Sequence, residues 1–275
     1  MDEKNLPEKE QVITLRDGSQ LFVYTRGKEN AEPILLIHGL GADHNMWQPQ
    51  IECYPEEGLR VIAPDMRCHG RSSNCKKIEN ADWADDLAEM MEQLSIPAAY
   101  VAGVSMGGII AQEFALRYPE KTKKLVLSDT FGKLRTLQEK LIGAATIVGF
   151  KILHFMPSEK AAALLASAYD FSGGEECKEY FSQIGETLDT RQISVARKAV
   201  NRVDTEERLS ELSMPVLVMV GTRPGEFFVR MSRRIAEAIG TGCIELEGGM
   251  DPSNLTVRDE FNRKLLHFVR GADEA

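Results

Sequence analysis

The amino-acid sequence predicts an α/β protein with a mostly parallel sheet of about eight strands, flanked by helices. The first observation behind this prediction is that short apolar runs, bounded by turn residues, alternate with helical patterns along most of the chain. The second is that most of these runs are continuously apolar, which is typical of strands buried on both faces. A chain of 275 residues is long enough for one core with an inserted subdomain.

The strands can be placed in chain order. Asp17-Gly18 is typical of a hairpin turn and predicts one strand on each side of it. Six further apolar runs follow, and an amphipathic pattern over 258–269 predicts a final helix. The eight predicted strands cover residues 12–15, 21–24, 34–37, 61–63, 100–104, 125–127, 216–220 and 243–246.

The alternation of strands and helices stops between Thr130 and Leu212. That region shows helical periodicity only, with breaks at Pro157 and at Gly173-Gly174. We therefore predict a helical cap subdomain over 131–210, inserted into a core formed by 1–130 and 211–275.

A nucleophile elbow is the most informative motif. The apolar run 100–104 leads directly to Ser105 within the motif Gly103-x-Ser105-x-Gly107, and a helical pattern begins at Met106. A strand-to-helix turn this tight requires small residues on both sides of the serine and raises its hydroxyl above the sheet. The same geometry points the Met106 amide, at a helix N-terminus, toward developing negative charge.

Composition and charge argue against several classes of function and location. The formal charge of −9, with both signs interspersed, argues against nucleic-acid binding. The mostly charged residues 1–11 do not resemble a secretory signal, and the apolar stretch 141–156 is too short for a bilayer helix. Five scattered cysteines without a CxxC motif favour reduced thiols in a cytoplasmic protein, and no zinc site is expected. No nucleotide, phosphate or metal motif is present, so we expect no cofactor and no metal.

The chain resembles the α/β-hydrolase superfamily, most closely the 3-oxoadipate enol-lactonase-like and small bacterial esterase group, from about residue 11 to 269. The resemblance implies an α/β-hydrolase fold and a small-molecule substrate, and it leaves the oligomeric state open. Besides the elbow, it is carried by Ile-His-Gly-Leu-Gly at 37–41, Pro-Asp-Met-Arg-Cys-His-Gly-Arg-Ser at 64–72, Leu-Val-Leu-Ser-Asp-Thr at 125–130, Pro-Val-Leu-Val-Met-Val-Gly at 215–221 and Glu-Phe-Asn-Arg-x-Leu-Leu-x-Phe-Val at 260–269.

This resemblance implies an oxyanion hole but not a complete catalytic triad. It places the Leu40 and Met106 amides in the oxyanion hole, with Gly39 beside the substrate. The family's acid position falls on Pro224 and its histidine position on Asp251. Asp129 occupies an alternative acid position, although it could also be a plain turn residue.

A carboxylate is a poor substitute for the missing imidazole if its pKa is ordinary, near ~4. An apolar cleft can raise that pKa, and Asp251 would then be able to accept a proton from the substrate or from water. The alternative is that Asp251 is a solvated turn residue before Pro252. No histidine lies between His154 and His267. His44, after the oxyanion loop, and His154, in the cap, are the histidines expected to reach the cleft, where they would contact substrate.

Three functions remain open. The first is an enzyme acting on a small, largely apolar organic substrate, with hydrolase-like ester or lactone chemistry in a site that lacks the standard histidine and acid. The second is non-hydrolytic chemistry in the same pocket, as in a lyase, decarboxylase, cyclase or isomerase, with Asp251 moving a proton. The third is a pseudoenzyme that binds a ligand. A carboxylate within hydrogen-bond reach of the Ser105 hydroxyl would favour the second.

Overall fold

The central sheet of the computed structural model, which describes residues 6–271, confirms the predicted class. Its eight strands are arranged in the order β1-β2-β4-β3-β5-β6-β7-β8. The first two strands pair antiparallel, β2 also pairs antiparallel with β4, and the remaining neighbours are parallel. The strands are β1 (Glu8–Thr14), β2 (Gln20–Arg26), β3 (Glu32–Ile37), β4 (Leu59–Pro64), β5 (Ala99–Val104), β6 (Thr122–Ser128), β7 (Val216–Gly221) and β8 (Cys243–Leu246).

The register of the parallel strands aligns their carboxyl ends. Ile37 of β3 lies opposite Gly103 of β5, Gly103 lies opposite Leu127 of β6, and Ser128 lies opposite Met219 of β7. The segments that follow these strands therefore meet at one edge of the sheet. In open α/β sheets that edge is where ligands bind.

Helices connect the strands and cover both faces of the sheet. Four of them, α4 to α7, lie between β6 and β7, within the region where the sequence predicts a cap. The helices are α1 (Gln48–Cys53), α2 (Asn80–Gln93), α3 (Met106–Arg117), α4 (Leu137–Leu153), α5 (Ser158–Ala166), α6 (Glu175–Thr187), α7 (Thr190–Val200), α8 (Glu226–Ile239), α9 (Ser253–Thr256) and α10 (Arg258–Arg270). The division into core and cap stays a prediction, and the outermost residues of that core, 1–5 and 272–275, lie outside the described residues.

Large buried side chains fill an apolar layer on each face of the sheet. Trp83 of α2 and Phe114 of α3 are fully buried in one layer. Trp47 and Phe261 are fully buried in the other, with ring centroids 6.0 Å apart. The strand ends that carry the candidate site are therefore held in place by packed apolar layers on both faces of the sheet.

The inserted helices are less buried than the core. Helix α4 leaves Leu141, Val148 and Ile152 exposed, and Phe155 beyond it is exposed as well. Over residues 6–271, no helix combines the length and the apolar character that crossing a bilayer requires.

Candidate active site

Ser105 lies in the strained turn that the sequence predicts, between β5 and α3. Its φ of 57° is in the left-handed region, which is unusual for a residue with a side chain. A Cβ atom added at Gly107 would lie 2.0 Å from the Ile37 carbonyl oxygen, and one added at Gly103 would lie 2.2 Å from the Gly107 carbonyl oxygen. Both glycines are therefore required by close backbone approach, as expected for a nucleophile elbow.

The residues expected to form the oxyanion hole border this turn. Met106 is the first residue of α3, so its amide has no acceptor within the helix. A Cβ atom built at Gly39 would lie 3.5 Å from the Ser105 Cβ atom, which places the loop carrying Leu40 against the elbow. Within residues 6–271, neither the Leu40 amide nor the Met106 amide donates a hydrogen bond to another residue. Two free amides thus border the Ser105 turn.

Asp251 is the carboxylate that faces Ser105. Burial raises the pKa of Asp251 to about 8, and the negative charge of Asp129 adds to that increase. The neighbouring Ser105 hydroxyl and the positive charge of Arg197 act in the opposite direction and lower the pKa of Asp251. The Tyr169 hydroxyl donates to the Asp251 carbonyl oxygen at 2.9 Å and fixes this part of the loop.

Asp129 lies beneath the loop that carries Asp251. It follows β6 directly, with a φ of 52°. Its carboxylate accepts hydrogen bonds from the Gly221 amide at 2.8 Å, the Ser253 amide and hydroxyl at 2.9 Å each, and the Ser128 hydroxyl at 3.1 Å. Burial raises the pKa of Asp129, and these four donors oppose that change. Asp129 therefore connects the end of β7 to the Asp251 loop.

Arg197 of α7 is a site residue that the sequence reasoning missed. Its Nε atom is buried and has no hydrogen-bond partner among the described residues. Burial lowers the pKa of Arg197 to about 10, and the nearby charge of Asp251 opposes that change. The available signal was helical spacing, because Arg197 lies on the same face of α7 as Ile193 and Val200, which are buried.

His44 is oriented away from Ser105. Its Nδ1 atom pairs with Asp65 at 2.8 Å, and its ring packs on Phe22 and Tyr24 of β2, with centroids 4.9 and 5.7 Å away. Strands β3 and β4 separate β2 from the strand that leads to Ser105. His44 therefore supports the loop after β3, and its ring packs toward β2 rather than toward Ser105.

His154 is also outside the Ser105 cluster. It is exposed at the end of α4, where it lines a separate cleft of about 240 Å³ together with Met156 and Arg191. Neither His44 nor His154 is used in the site described here.

Asp43, His44 and Asp65 form a group with the composition of a cation site, since their potential ligand atoms lie within 4.8 Å of one another. Protein donors already engage these carboxylates. Asp65 accepts from the His44 ring and from the His44 and Arg71 amides, and Asp43 accepts from the Tyr180 hydroxyl. These bonds account for the cluster as a network that holds the loop in place.

All five cysteines are free, although the Cys68 and Cys75 sulfurs lie 2.8 Å apart.

Comparisons with known proteins agree with the fold. A family profile described as alpha/beta hydrolase fold matches residues 32–151. The chain is 25% identical over 259 residues to 3-oxoadipate enol-lactonase 1 of Acinetobacter baylyi, covering 94% of this chain and 96% of that protein. It is 29% identical over 268 residues to the putative carbamate hydrolase RutD of Agrobacterium fabrum, covering 92% and 98% of the two proteins.

A solved structure has the same fold. The enol-lactonase from Burkholderia xenovorans LB400 matches with a TM-score of 0.79 at 23% identity, over 94% of this chain and 100% of that one. Sheet order, serine turn and relatives together define an α/β-hydrolase-fold protein. The chain has the α/β-hydrolase fold, and the proteins to which it is similar include enol-lactonases and hydrolases.

Proposed function

We propose that this protein is an ester or lactone hydrolase acting on a small organic substrate, with Ser105 as nucleophile and Asp251 as the proton-transfer group. The relatives named enol-lactonase and hydrolase support the substrate class. The position of Asp251 beside Ser105 supports the assignment of roles.

The observation that carries this proposal is the position of the Asp251 carboxyl group beside Ser105, where burial raises its pKa. An ordinary carboxylate holds a proton too weakly to take one from a serine hydroxyl, because its pKa is near ~4. A pKa of about 8 places Asp251 in the range where a general base is most effective near neutral pH. Burial and the neighbouring Asp129 thus give a carboxylate the proton affinity that an imidazole has in related enzymes.

The proposed reaction has two steps, and in each of them Asp251 accepts one proton and then gives it up. In the first, ionised Asp251 accepts the Ser105 proton as the Ser105 oxygen attacks the carbonyl carbon. Protonated Asp251 then gives that proton to the departing alkoxide oxygen, and an acyl-serine remains. In the second, Asp251 accepts a proton from water, which attacks the acyl group, and returns the proton to Ser105. The free Leu40 and Met106 amides would donate to the oxyanion in both steps.

The Asp251 carboxylate beside Ser105 also favours the second function that the sequence left open, and the names of the relatives are the reason that hydrolysis is put first. A base with a raised pKa in a partly accessible cleft can remove a proton from carbon without a serine nucleophile. The two oxyanion-hole amides would then stabilise an enolate. This chemistry requires Asp251 but not the Ser105 hydroxyl, so the two candidates make different predictions for substitution of Ser105.

The test is a pH profile of hydrolysis for 4-nitrophenyl acetate and a panel of simple lactones. We expect kcat/KM to rise with pH to a plateau, with an apparent pKa of about 8. Ser105→Ala and Asp251→Asn should each lose at least about a hundredfold in kcat/KM, since removing a nucleophile or its base has effects of this size or larger. Ser167→Ala and Asp259→Asn change exposed residues of the same types and serve as matched controls.

Three outcomes would contradict hydrolysis by this route. Full hydrolytic activity in folded Ser105→Ala would remove the nucleophile from the proposal. Turnover that survives Ser105→Ala but disappears in Asp251→Asn would identify the second candidate. A wild-type protein that hydrolyses none of the esters or lactones would contradict the proposed hydrolase.

A further inference from the structure

The Arg197 guanidinium is the charged group of this site that the proposed reaction does not use. It lies on α7, whose Ile193 approaches the loop that carries the Leu40 amide: a Cβ atom built at Gly41, the next residue, would lie 4.0 Å from the Ile193 side chain. Residues four apart on a helix point in the same direction. Arg197 therefore extends from the face of α7 that covers the site.

Helix α7 is fixed at both ends. Near its start, the Gln192 side chain accepts a hydrogen bond from the Cys75 amide at 2.8 Å. Near its end, the Asn80 side chain donates to the Ala199 carbonyl oxygen at 3.2 Å. Asp189 caps the helix by accepting from the Arg191 amide at 3.0 Å. Arg197 is thus presented by an anchored helix, which lowers the entropy lost when a ligand binds there.

The charge of Arg197 is not neutralised by the protein. Its Nε atom is buried without an acceptor among the described residues, and burying a polar group without a partner is unfavourable. Asp251 is the carboxyl group whose charge acts on Arg197, but it does not accept a hydrogen bond from the buried Nε atom. The Arg197 guanidinium therefore lies near the Asp251 carboxyl group with a donor still free for an anionic partner.

We propose that Arg197 is a specificity-determining residue that binds a carboxylate group of the substrate, so that the preferred ester or lactone is anionic. A guanidinium forms charge-assisted hydrogen bonds with a carboxylate, with a geometry that no neutral polar group matches. A substrate carboxylate would supply the missing acceptor and place the reactive carbonyl between α7 and Ser105. This assignment replaces the expectation of a largely apolar substrate and rests on the proposed function for its kinetic test.

The kinetic test compares monomethyl glutarate with its neutral analogue, in which an amide replaces the free carboxylate. We expect wild-type protein to favour the anion, and Arg197→Gln to lower the ratio of the two kcat/KM values by about tenfold or more. Arg197→Lys should recover part of that ratio because it keeps the charge but loses the planar geometry. Lys198→Gln, which changes the exposed neighbouring cation on α7, is the matched control.

A binding test separates this inference from the proposed hydrolysis. Glutarate binding to wild-type, Arg197→Gln and Lys198→Gln proteins is measured by calorimetry, with circular dichroism as the check of folding. Loss of glutarate binding in Arg197→Gln alone supports the carboxylate subsite even if no ester is hydrolysed. Equal glutarate binding by wild-type and folded Arg197→Gln, or an unchanged ratio of the two esters, would overturn it.

Discussion

The Asp129 carboxylate accepts hydrogen bonds from both the backbone amide and the hydroxyl group of Ser253, each at 2.9 Å. Ser253 follows Asp251 by two residues, at the start of α9. This contact places one carboxylate directly beneath the loop that carries another. The position of Asp251 and its proton affinity therefore depend on the same residue.

Asp129→Asn should move the pH profile of activity to lower pH. The negative charge of Asp129 raises the pKa of Asp251, so its removal lowers that pKa and Asp251 becomes ionised earlier in a titration. Four donors surround this carboxylate, so the NH₂ group of an asparagine would face another donor. We therefore expect the free energy of unfolding to fall by about 1–3 kcal/mol.

The measurement is the pH at half-maximal kcat/KM, with Asp170→Asn as a control at an exposed aspartate. A midpoint that stays in place or moves upward would contradict the coupling between Asp129 and Asp251.

Asp251→Asn should stabilise the protein, and more so at high pH. Burial raises the pKa of Asp251 from its ordinary value of 3.8 to about 8, so the folded state retains this proton after the unfolded chain has lost it. Wild-type stability consequently falls as pH rises from about 4 to about 8, whereas an asparagine has no proton to lose. We expect melting temperatures several degrees higher than wild type at pH 9, with a smaller difference at pH 5. An equal difference at both pH values would show that Asp251 titrates normally.

Gly107→Ala should severely destabilise the fold. The new Cβ atom would lie 2.0 Å from a backbone oxygen of β3, which cannot move without displacing the sheet. We expect a loss of more than about 3 kcal/mol in the free energy of unfolding, measured in urea.

Gly149→Ala is the matched control, since its Cβ atom would meet no atom within 4 Å in α4. The free energy of unfolding of this control should rise by about 0.5–1 kcal/mol, because alanine has a higher helix propensity than glycine. Similar stabilities for the two variants would show that Gly107 is not required by the elbow.

Wild-type Ser105 should react slowly with a fluorophosphonate at pH 7 and faster at pH 9, as Asp251 becomes ionised. Asp251→His should accelerate labelling at pH 7, because a neutral imidazole is a better base at that pH than a largely protonated carboxyl group. Adding Pro224→Asp should not increase the labelling rate further, because the Asp129 carboxylate already lies at this loop and can orient the new histidine.

The control is Asp251→His combined with Ser105→Ala, which should not be labelled. Labelling that requires both Asp251→His and Pro224→Asp would show that Asp129 does not act as the orienting acid.

Local sequence was sufficient to place the elbow and much less informative about its surroundings. Gly103 and Gly107 are dictated by contacts within one strand-turn-helix unit, and Asp129 by its place after a strand. Arg197 was missed because its relation to Asp251 arises between two segments far apart in the chain. The pKa of Asp251 was likewise beyond sequence reasoning, because it depends on tertiary burial.

Strand boundaries and histidine positions differed from expectation for similar reasons. The first strand was predicted over 12–15 but covers Glu8–Thr14, because exposed polar residues at this sheet edge pair through their backbone and carry no apolar signal. His44 was expected to reach the cleft, but Asp65 holds its ring toward β2. A sequence pattern does not specify such a side-chain pair.

The hydrogen bonds between Asp129 and the Asp251 loop have a consequence for how this site can evolve. Asp129 contacts the amide and hydroxyl of Ser253, and neither atom belongs to residue 251. These two contacts therefore do not depend on which side chain residue 251 carries. Aspartate and histidine codons differ by a single base, so a lineage can exchange a carboxylate for an imidazole here in one mutation while the supporting contacts remain.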